Sequence, residues 1–337
     1  MYIPIKFGNK KVSQSQRMVL AGDIGGTKSS LGLFQFEGET FSLLKKKKYH
    51  TRKFSNAWTM IAEFLSPGDL PDVMCFGVAG PVQKGKVRIT NVPWELDSNV
   101  ISGKYNNIPV YLINDLEATA YGIGMLEEKD IRILYNPLNS IEGNIAIIAP
   151  GTGLGEAGLY WDGKAYHPFA SEGGHCDFSP RTPFDNELLL HLQDVFGHVS
   201  WERVISGNGI YAIYEFLHIK MHMEIPLWVA ERMLTEDPAA VISDNADKAL
   251  ICGETMNIFI RYLATEAANL ALKLKATGGV FIGGGIIPKI LKLIQPDLFM
   301  ESFLDFGRMK PLLQSMPVKI IFNEDTALLG AAWYGAH

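Results

Sequence analysis

Val19-Leu20-Ala21-Gly22-Asp23-Ile24-Gly25-Gly26-Thr27 is an apolar run that ends in an acid, two glycines and a threonine. It leads into a second run, Ser30-Leu31-Gly32-Leu33-Phe34-Gln35-Phe36, closed by Glu37-Gly38. Two short apolar runs joined by a glycine turn read as a β-hairpin. The pattern returns when Ile145-Ala146-Ile147-Ile148-Ala149-Pro150-Gly151-Thr152 runs into Glu156-Ala157-Gly158-Leu159-Tyr160-Trp161-Asp162-Gly163. Superposed without gaps over nineteen positions, Thr27 meets Thr152 and Gly38 meets Gly163, both at an offset of 125. A duplicated hairpin at this separation suggests two related domains. Chance recurrence of Gly-Thr turns is the plain alternative, and an ungapped match of this length weighs against it.

Outward from the first hairpin, residues 57–65 read as a helix and 73–78 as a strand ending in Ala79-Gly80-Pro81. A strand at 110–113 ends at Asn114-Asp115, and a helix follows over 116–127. Helices dominate 186–276, with a break near 224–226. A strand at 279–282 meets Gly283-Gly284-Gly285, and a helix begins near Pro288. A strand at 318–322 precedes a last helix at 326–333. Strands alternating with helices indicate α/β layers. The lysine run 45–48 sits between hairpin strands and reads as a solvated edge that resists strand pairing.

The 337 residues exceed what one hydrophobic core usually serves, so two domains are expected. Hydrophobic residues at 47% and charged residues at 20% are those of a globular chain, not a disordered one. The net charge of −5 disfavours a nucleic-acid partner. No apolar run reaches the roughly 20 residues that cross a bilayer, so no membrane partner is expected. Residues 1–17 lack a signal-like apolar core and read as a loose leader. The end, Tyr334-Gly335-Ala336-His337, carries no peroxisomal-type tripeptide. Three scattered cysteines, Cys75, Cys176 and Cys252, suit a reducing cytosol and exclude a CxxC zinc site.

Glycine lets backbone N–H groups approach phosphate oxygens. Three turns offer this: Asp23-Ile24-Gly25-Gly26-Thr27-Lys28, Gly151-Thr152-Gly153-Leu154-Gly155 and Gly283-Gly284-Gly285. Each alone is better explained by a tight turn. A Walker turn is absent, because Thr27 stands where one opening at Gly22 needs glycine. Gly153-x-Gly155-x-x-Gly158 fits a dinucleotide fingerprint, but that motif must open a helix and a strand-like Leu159-Tyr160-Trp161 follows.

On these residues the chain resembles the actin-like kinases of the hexokinase fold. Residues 20–28 resemble their first phosphate motif, 148–155 the second, and 278–287 the adenosine motif. Leu112-Ile113-Asn114-Asp115, Ser171-Glu172-Gly173-Gly174-His175, Gly197-His198-Val199-Ser200-Trp201-Glu202-Arg203 and Gly279-Val280-Phe281-Ile282-Gly283-Gly284-Gly285 resemble the bacterial-type glucokinase family. The resemblance runs from about Met18 onward, and the combination of motifs is specific where each alone is not. The related repressor–kinase–open-reading-frame family shares the Glu-Gly-x-His pattern but carries a cysteine-rich zinc motif that is absent here. Cys176 stands where an aliphatic residue is expected, a small change because cysteine packs as a small apolar side chain.

The resemblance implies two actin-like (ribonuclease H-like) α/β ATPase domains around a central cleft. The expected small domain is 18–122 with 324–337, and the large one 123–323. It implies ATP-dependent phosphorylation of D-glucose at the 6-hydroxyl, feeding glycolysis, with ATP and Mg²⁺ as cofactors. Glucose and ATP should meet between the domains, with closure excluding water. A cytoplasmic homodimer is expected.

By the same resemblance Asp115 is the general base for the 6-hydroxyl. An ordinary carboxylate is ionised at neutral pH and can accept that proton. A first-turn or capping aspartate is the alternative. Asn114 and Asp115 are expected on the 4- and 6-hydroxyl side of the sugar, and Glu172, His175 and Glu202 on the 1-, 2- and 3-hydroxyl side. A turn residue, a satisfied loop histidine and a helix-start glutamate are their respective alternatives. Asp23 is expected to hold Mg²⁺ through water. Gly25, Gly26, Thr27, Lys28, Gly151, Thr152, Gly153, Gly283, Gly284 and Gly285 are expected around the nucleotide, and Lys28 could instead be a solvated surface lysine. A kinase for another hexose or amino sugar, a catalytically silent sugar sensor and a dinucleotide oxidoreductase are the competing readings.

Overall fold

The computed structural model describes residues 5–8, 16–38, 40–89, 92–139 and 141–337. Its chain divides into two compact units. The first comprises Met1–Asp130, Leu159–Ala170 and Asn323–His337; the second comprises Ile131–Gly158 and Ser171–Phe322. No sequence signal marks 159–170 as grouping with the first unit.

The opening stretch forms the hairpin β1 (Arg17–Ile24) and β2 (Lys28–Glu37), and β3 (Thr40–His50) pairs antiparallel beside β2. β4 (Val73–Val78) lies parallel to β1 on its other side. A short ribbon of β5 (Lys86–Arg88) and β6 (Glu95–Asp97) precedes β7 (Val110–Asn114), which lies parallel to β4. The sheet order is β3-β2-β1-β4-β7. β4 is buried at every position, as a central parallel strand covered on both faces requires. β3 is the edge, and the lysine run lies inside this strand rather than between strands, with β2 as its partner. Its lysines protect the outer edge and form ion pairs, Lys45 with Asp69, Lys47 with Glu63 and Lys48 with Glu324.

A second sheet contains β8 (Ile131–Tyr135), β9 (Ile145–Pro150), β10 (Leu154–Trp161), β11 (Tyr166–Ser171), β12 (Gly279–Ile282) and β13 (Val318–Ile321), in the order β11-β10-β9-β12-β13-β8. From its third hairpin strand inward, this repeats the order of the first sheet. The duplicated hairpin therefore marks a duplicated sheet. The long helix Leu250–Leu274 backs the second sheet, with sixteen of its 25 residues buried, thirteen of them in the main hydrophobic core.

In the first unit the helix Asp115–Ile123 and the last helix, Thr326–Ala336, touch backbone to backbone. A Cβ at Gly122 would lie 1.9 Å from the Thr326 carbonyl oxygen, and one at Gly330 would lie 1.7 Å from that of Ala118. Only glycine at both positions permits this crossing, which fixes where Asp115 stands relative to Asp325. Part of the expected loose leader is docked: Phe7 bridges Tyr166 and packs its ring on Tyr121 and Trp333, at centroid distances of 5.1 and 4.7 Å. The aromatic ring has apolar surface to bury, which overrides the polar character of its neighbours. Residues 1–4 and 9–15 of that leader lie outside the described residues. Among the described residues no helix is long and apolar enough to cross a membrane.

Candidate active site

In the first unit, Asp23 ends β1 opposite Gly77 of the parallel neighbour and Ser30 of the hairpin partner. The turn after it is tied down by three bonds. Gly25 N–H donates to the Lys28 carbonyl (3.1 Å), Thr51 N–H donates to the Thr27 carbonyl (3.0 Å), and the Thr51 hydroxyl donates to the Gly25 carbonyl (2.7 Å). Gly26 is partly exposed, and Thr27 and Lys28 are exposed at the turn. Thr51, buried and unmarked in the sequence, is what shapes this turn.

Asn114 caps the helix that Asp115 opens. Its Oδ1 accepts the N–H groups of Leu116 (2.9 Å) and Glu117 (3.3 Å), and its Nδ2 donates to the Gly80 carbonyl (3.3 Å). Asp115 Oδ1 also accepts the Leu116 N–H at 2.9 Å. The cap is thus chiefly Asn114, and Asp115 is the first-turn acid.

Burial pushes the Asp23 carboxyl up to about 7, helped by the neighbouring Asp115 and Asp325 carboxylates and opposed by Lys48. The sequence reading does not single out Asp325, and it takes Lys48 only as part of the solvated lysine edge. The acid pair Glu324-Asp325 just before a helix is the signal that could have found the first. Asp325 is paired with Lys46 and Glu324 with Lys48, so two rungs of the lysine edge neutralise the approach to Asp23. An acid that resists ionisation beside two other carboxylates fits a cation held at a distance through water. Among the described residues no three His, Cys, Asp or Glu side chains are grouped to hold a metal directly.

In the second unit two glycine turns meet. Gly151 N–H donates to the Gly153 carbonyl (2.8 Å), closing the turn around Thr152, which is exposed. Gly283 N–H donates to the Ile148 carbonyl (2.9 Å) and Ile286 N–H to that of Pro150 (3.3 Å), so the Gly283-Gly284-Gly285 turn lies against the start of the Gly151 turn. Gly284 has φ +87°, and a Cβ there would lie 2.4 Å from the Pro150 carbonyl oxygen. Gly155 and Gly158 lie inside β10, which opens no helix, and this removes the dinucleotide fingerprint.

Glu172 and His175 flank a 3₁₀ turn, Gly173–His175, and are both exposed, with His175 Nε2 3.9 Å from Glu172 Oε2. A Cβ at Gly174 would lie 2.1 Å from the Leu154 carbonyl oxygen, so the turn sits directly on the first residue of β10. Glu202, at the centre of the 3₁₀ turn Trp201–Arg203, reaches the same place: its Oε2 accepts the Leu154 N–H at 3.1 Å. Backbone bonds from Trp201 N–H to Cys176 (3.0 Å) and from Phe178 N–H to Val199 (2.9 Å) join the two segments. Glu172, His175 and Glu202, far apart in sequence, therefore gather beside Gly151–Gly153. Asn114, Asp115 and Asp23 gather separately within the first unit.

A phosphate-type glycine turn in each of two duplicated sheets, with two acids and a histidine gathered beside one of them, defines a sugar kinase of the actin-like ATPase class. The glucokinase family model matches residues 20–337. A glucokinase of Nostoc punctiforme is 39% identical over 333 residues, covering 94% of this chain and 98% of its own, and one of Synechocystis is 36% identical over 341 residues, covering 93% and 96%. The crystal structure of a glucokinase from an Antarctic psychrotroph superposes with a TM-score of 0.79 at 29% identity, over 94% of this chain and 98% of its own. A ROK-family glucokinase of Streptomyces griseus, solved with glucose and AMPPNP, shares the fold with a TM-score of 0.63 at 20% identity, over 94% and 99% of the two chains. The chain belongs to the glucokinase family, and its activity is the ATP-dependent phosphorylation of glucose.

Proposed function

We propose that Asp115 accepts the proton of the glucose 6-hydroxyl as that oxygen attacks the γ-phosphorus of ATP, giving glucose 6-phosphate and ADP. Asn114 addresses the 4-hydroxyl side of the sugar. Glu172, His175 and Glu202 address the 1-, 2- and 3-hydroxyls. What supports the reading most is the gathering of Glu172, His175 and Glu202 on one β-strand end beside the Gly151 turn. Adjacent carboxylate and imidazole groups match the paired donors and acceptors of a hexose.

The turns 25–28 and 151–153 offer backbone N–H groups to the phosphates, with Thr27, Lys28 and Thr152 beside them, and Gly283–Gly285 borders the adenosine. Asp23 is the residue that would hold Mg²⁺ through water. When bound, Mg²⁺ neutralises phosphate charge that develops during transfer. Asp23, partly buried and pressed by Asp115 and Asp325, gains its charge most readily when a cation is near. The three cysteines, Cys75 and Cys252 buried and Cys176 exposed, form no disulfide, which suits action in the reducing cytosol.

The test is a coupled ADP-release assay over a panel of sugars and phosphoryl donors. A site built to bond a hydroxyl rejects an analogue that moves or lacks it by up to about 10⁴-fold. Mannose, inverted at carbon 2, and N-acetylglucosamine, bulky there, should therefore fall far below glucose in kcat/KM. Equal or better use of either sugar would overturn the assignment of Glu172, His175 and Glu202 to glucose.

A further inference from the structure

Glu156 is a charged residue in the interior of an otherwise apolar strand, and it is 1% exposed. It lies directly beneath the Glu172–His175 turn. A Cβ at Gly173 would stand 2.0 Å from Glu156 Oε2, so carboxylate and bare turn backbone are in contact. Two further bonds tie turn and strand: the Ser171 hydroxyl donates to the Glu156 carbonyl (3.1 Å), and Gly173 N–H donates to the Ser171 hydroxyl (3.2 Å).

On its other side Glu156 faces a second acid, Glu266, which is fully buried in the long helix and whose charge opposes ionisation of Glu156. Glu266 has two donors of its own. Asn269 Nδ2 reaches its Oε2 at 2.8 Å and Lys273 Nζ its Oε1 at 3.2 Å. Glu156 Oε1 has no protein partner. Two buried carboxylates facing each other do not both ionise, and the one with donors keeps the charge. Glu266, with its two donors, then keeps the charge, and Glu156 keeps its proton.

We propose that Glu156 is a positioning residue for sugar binding: the proton it keeps beside Glu266 holds the Glu172–His175 turn in its binding shape, and loss of that proton releases the turn. The proposal rests on the reading of Glu172 and His175 as sugar ligands. Ionisation would set a second negative charge against Glu266 and against the backbone of Gly173, with the exposed Lys273 as the nearby cation. The turn itself brings Glu172 and His175, whose exposed side chains are screened by water. Burial and Glu266 push the Glu156 carboxyl up to about 8, so the release falls in an accessible alkaline range.

The experiment is glucose binding by calorimetry on the full chain from pH 6.5 to 9.5, without nucleotide, for the wild type, Glu156→Gln and Glu172→Ala. Glutamine keeps the shape and a donor toward Glu266 but cannot ionise. The wild type should lose glucose affinity about tenfold between pH 7 and 9.5, and Glu156→Gln should show no such loss. Glu156→Ala should raise KM for glucose about tenfold with KM for ATP within about twofold, and Glu156→Gln should restore most of that. A wild-type affinity that is flat with pH, or a Glu156→Gln profile that falls like the wild type, overturns the proposal. If Glu172→Ala binds glucose normally, the sugar reading of the turn fails, and this proposal fails with it. If Glu172→Ala loses glucose while Glu156→Gln keeps the alkaline loss, only this proposal fails.

Discussion

Glu202 Oε2 accepts the N–H of Leu154 at 3.1 Å, so a residue assigned to the sugar is bonded to the turn assigned to the nucleotide. Gly153 makes room for it, since a Cβ there would lie 2.3 Å from the same oxygen. A hydrogen bond to a charged acceptor contributes about 1.5–3 kcal/mol. Glu202→Ala should therefore raise KM for both substrates, glucose by about tenfold or more. Glu172→Ala should raise KM for glucose alone. Steady-state kinetics with each substrate varied in turn decides this, and an unchanged KM for ATP in Glu202→Ala would separate the two sites.

Asp115→Asn should lower kcat by about 10²–10⁴-fold, the usual contribution of general-base catalysis. Asparagine preserves the size of the side chain but cannot take the proton. Glucose and ATP should still bind, as measured by calorimetry. A near-normal kcat would assign the base elsewhere.

Asp23→Asn should abolish activity while stabilising the fold at alkaline pH. The Asp23 carboxyl is held at about 7, well above its ordinary value of 3.8. The folded state thus keeps a proton that the unfolded chain has lost, and wild-type stability falls as pH rises from about 4 through 7. Asparagine removes that fall. In magnesium-free buffer the Tm of Asp23→Asn should gain on the wild type between pH 5 and pH 8, by about 2 °C or more. A Tm difference that is flat with pH would place the Asp23 carboxyl in the ordinary range.

Gly151 and Gly174 should respond in opposite ways to substitution. A Cβ at Gly151 meets nothing closer than 4.0 Å, so Gly151→Val should fold, bind glucose and bind ATP more weakly by about tenfold or more. Gly174→Ala forces a Cβ to within 2.1 Å of the Leu154 carbonyl oxygen and should destabilise the protein by about 1–3 kcal/mol. Circular dichroism melts and ATP calorimetry on both variants check the contrast. A Gly151→Val protein that binds ATP normally would remove the turn from the phosphate site.

Much of the architecture was legible because hairpins, glycine turns and apolar strands are local signals. The strands at 73–78 and 279–282 match the structure residue for residue. The helix expected over 116–127 instead spans Asp115–Ile123, because Asn114 rather than Asp115 takes the cap. The third strand, Thr40–His50, was missed because its lysines resemble a loop, and its pairing comes from β2 rather than from its own pattern. Glu156 and Glu266 were passed over because a single acid in an apolar run has no meaning until its partner is known.

The sequence by itself determined the duplicated hairpins, the three glycine turns and the identity of the polar residues, since each depends on neighbours a few positions away. Tertiary structure alone decided which of those residues meet. Leu154 joins Glu202 and Gly174 across 48 and 20 residues of chain, and Gly122 meets Thr326 across about 200. Such approaches are set by backbone contact between packed elements, which side-chain pattern does not encode. They also set the electrostatics. Burial and two neighbouring carboxylates hold a proton on Asp23, and burial beside Glu266 holds one on Glu156, and neither environment exists until the chain has folded.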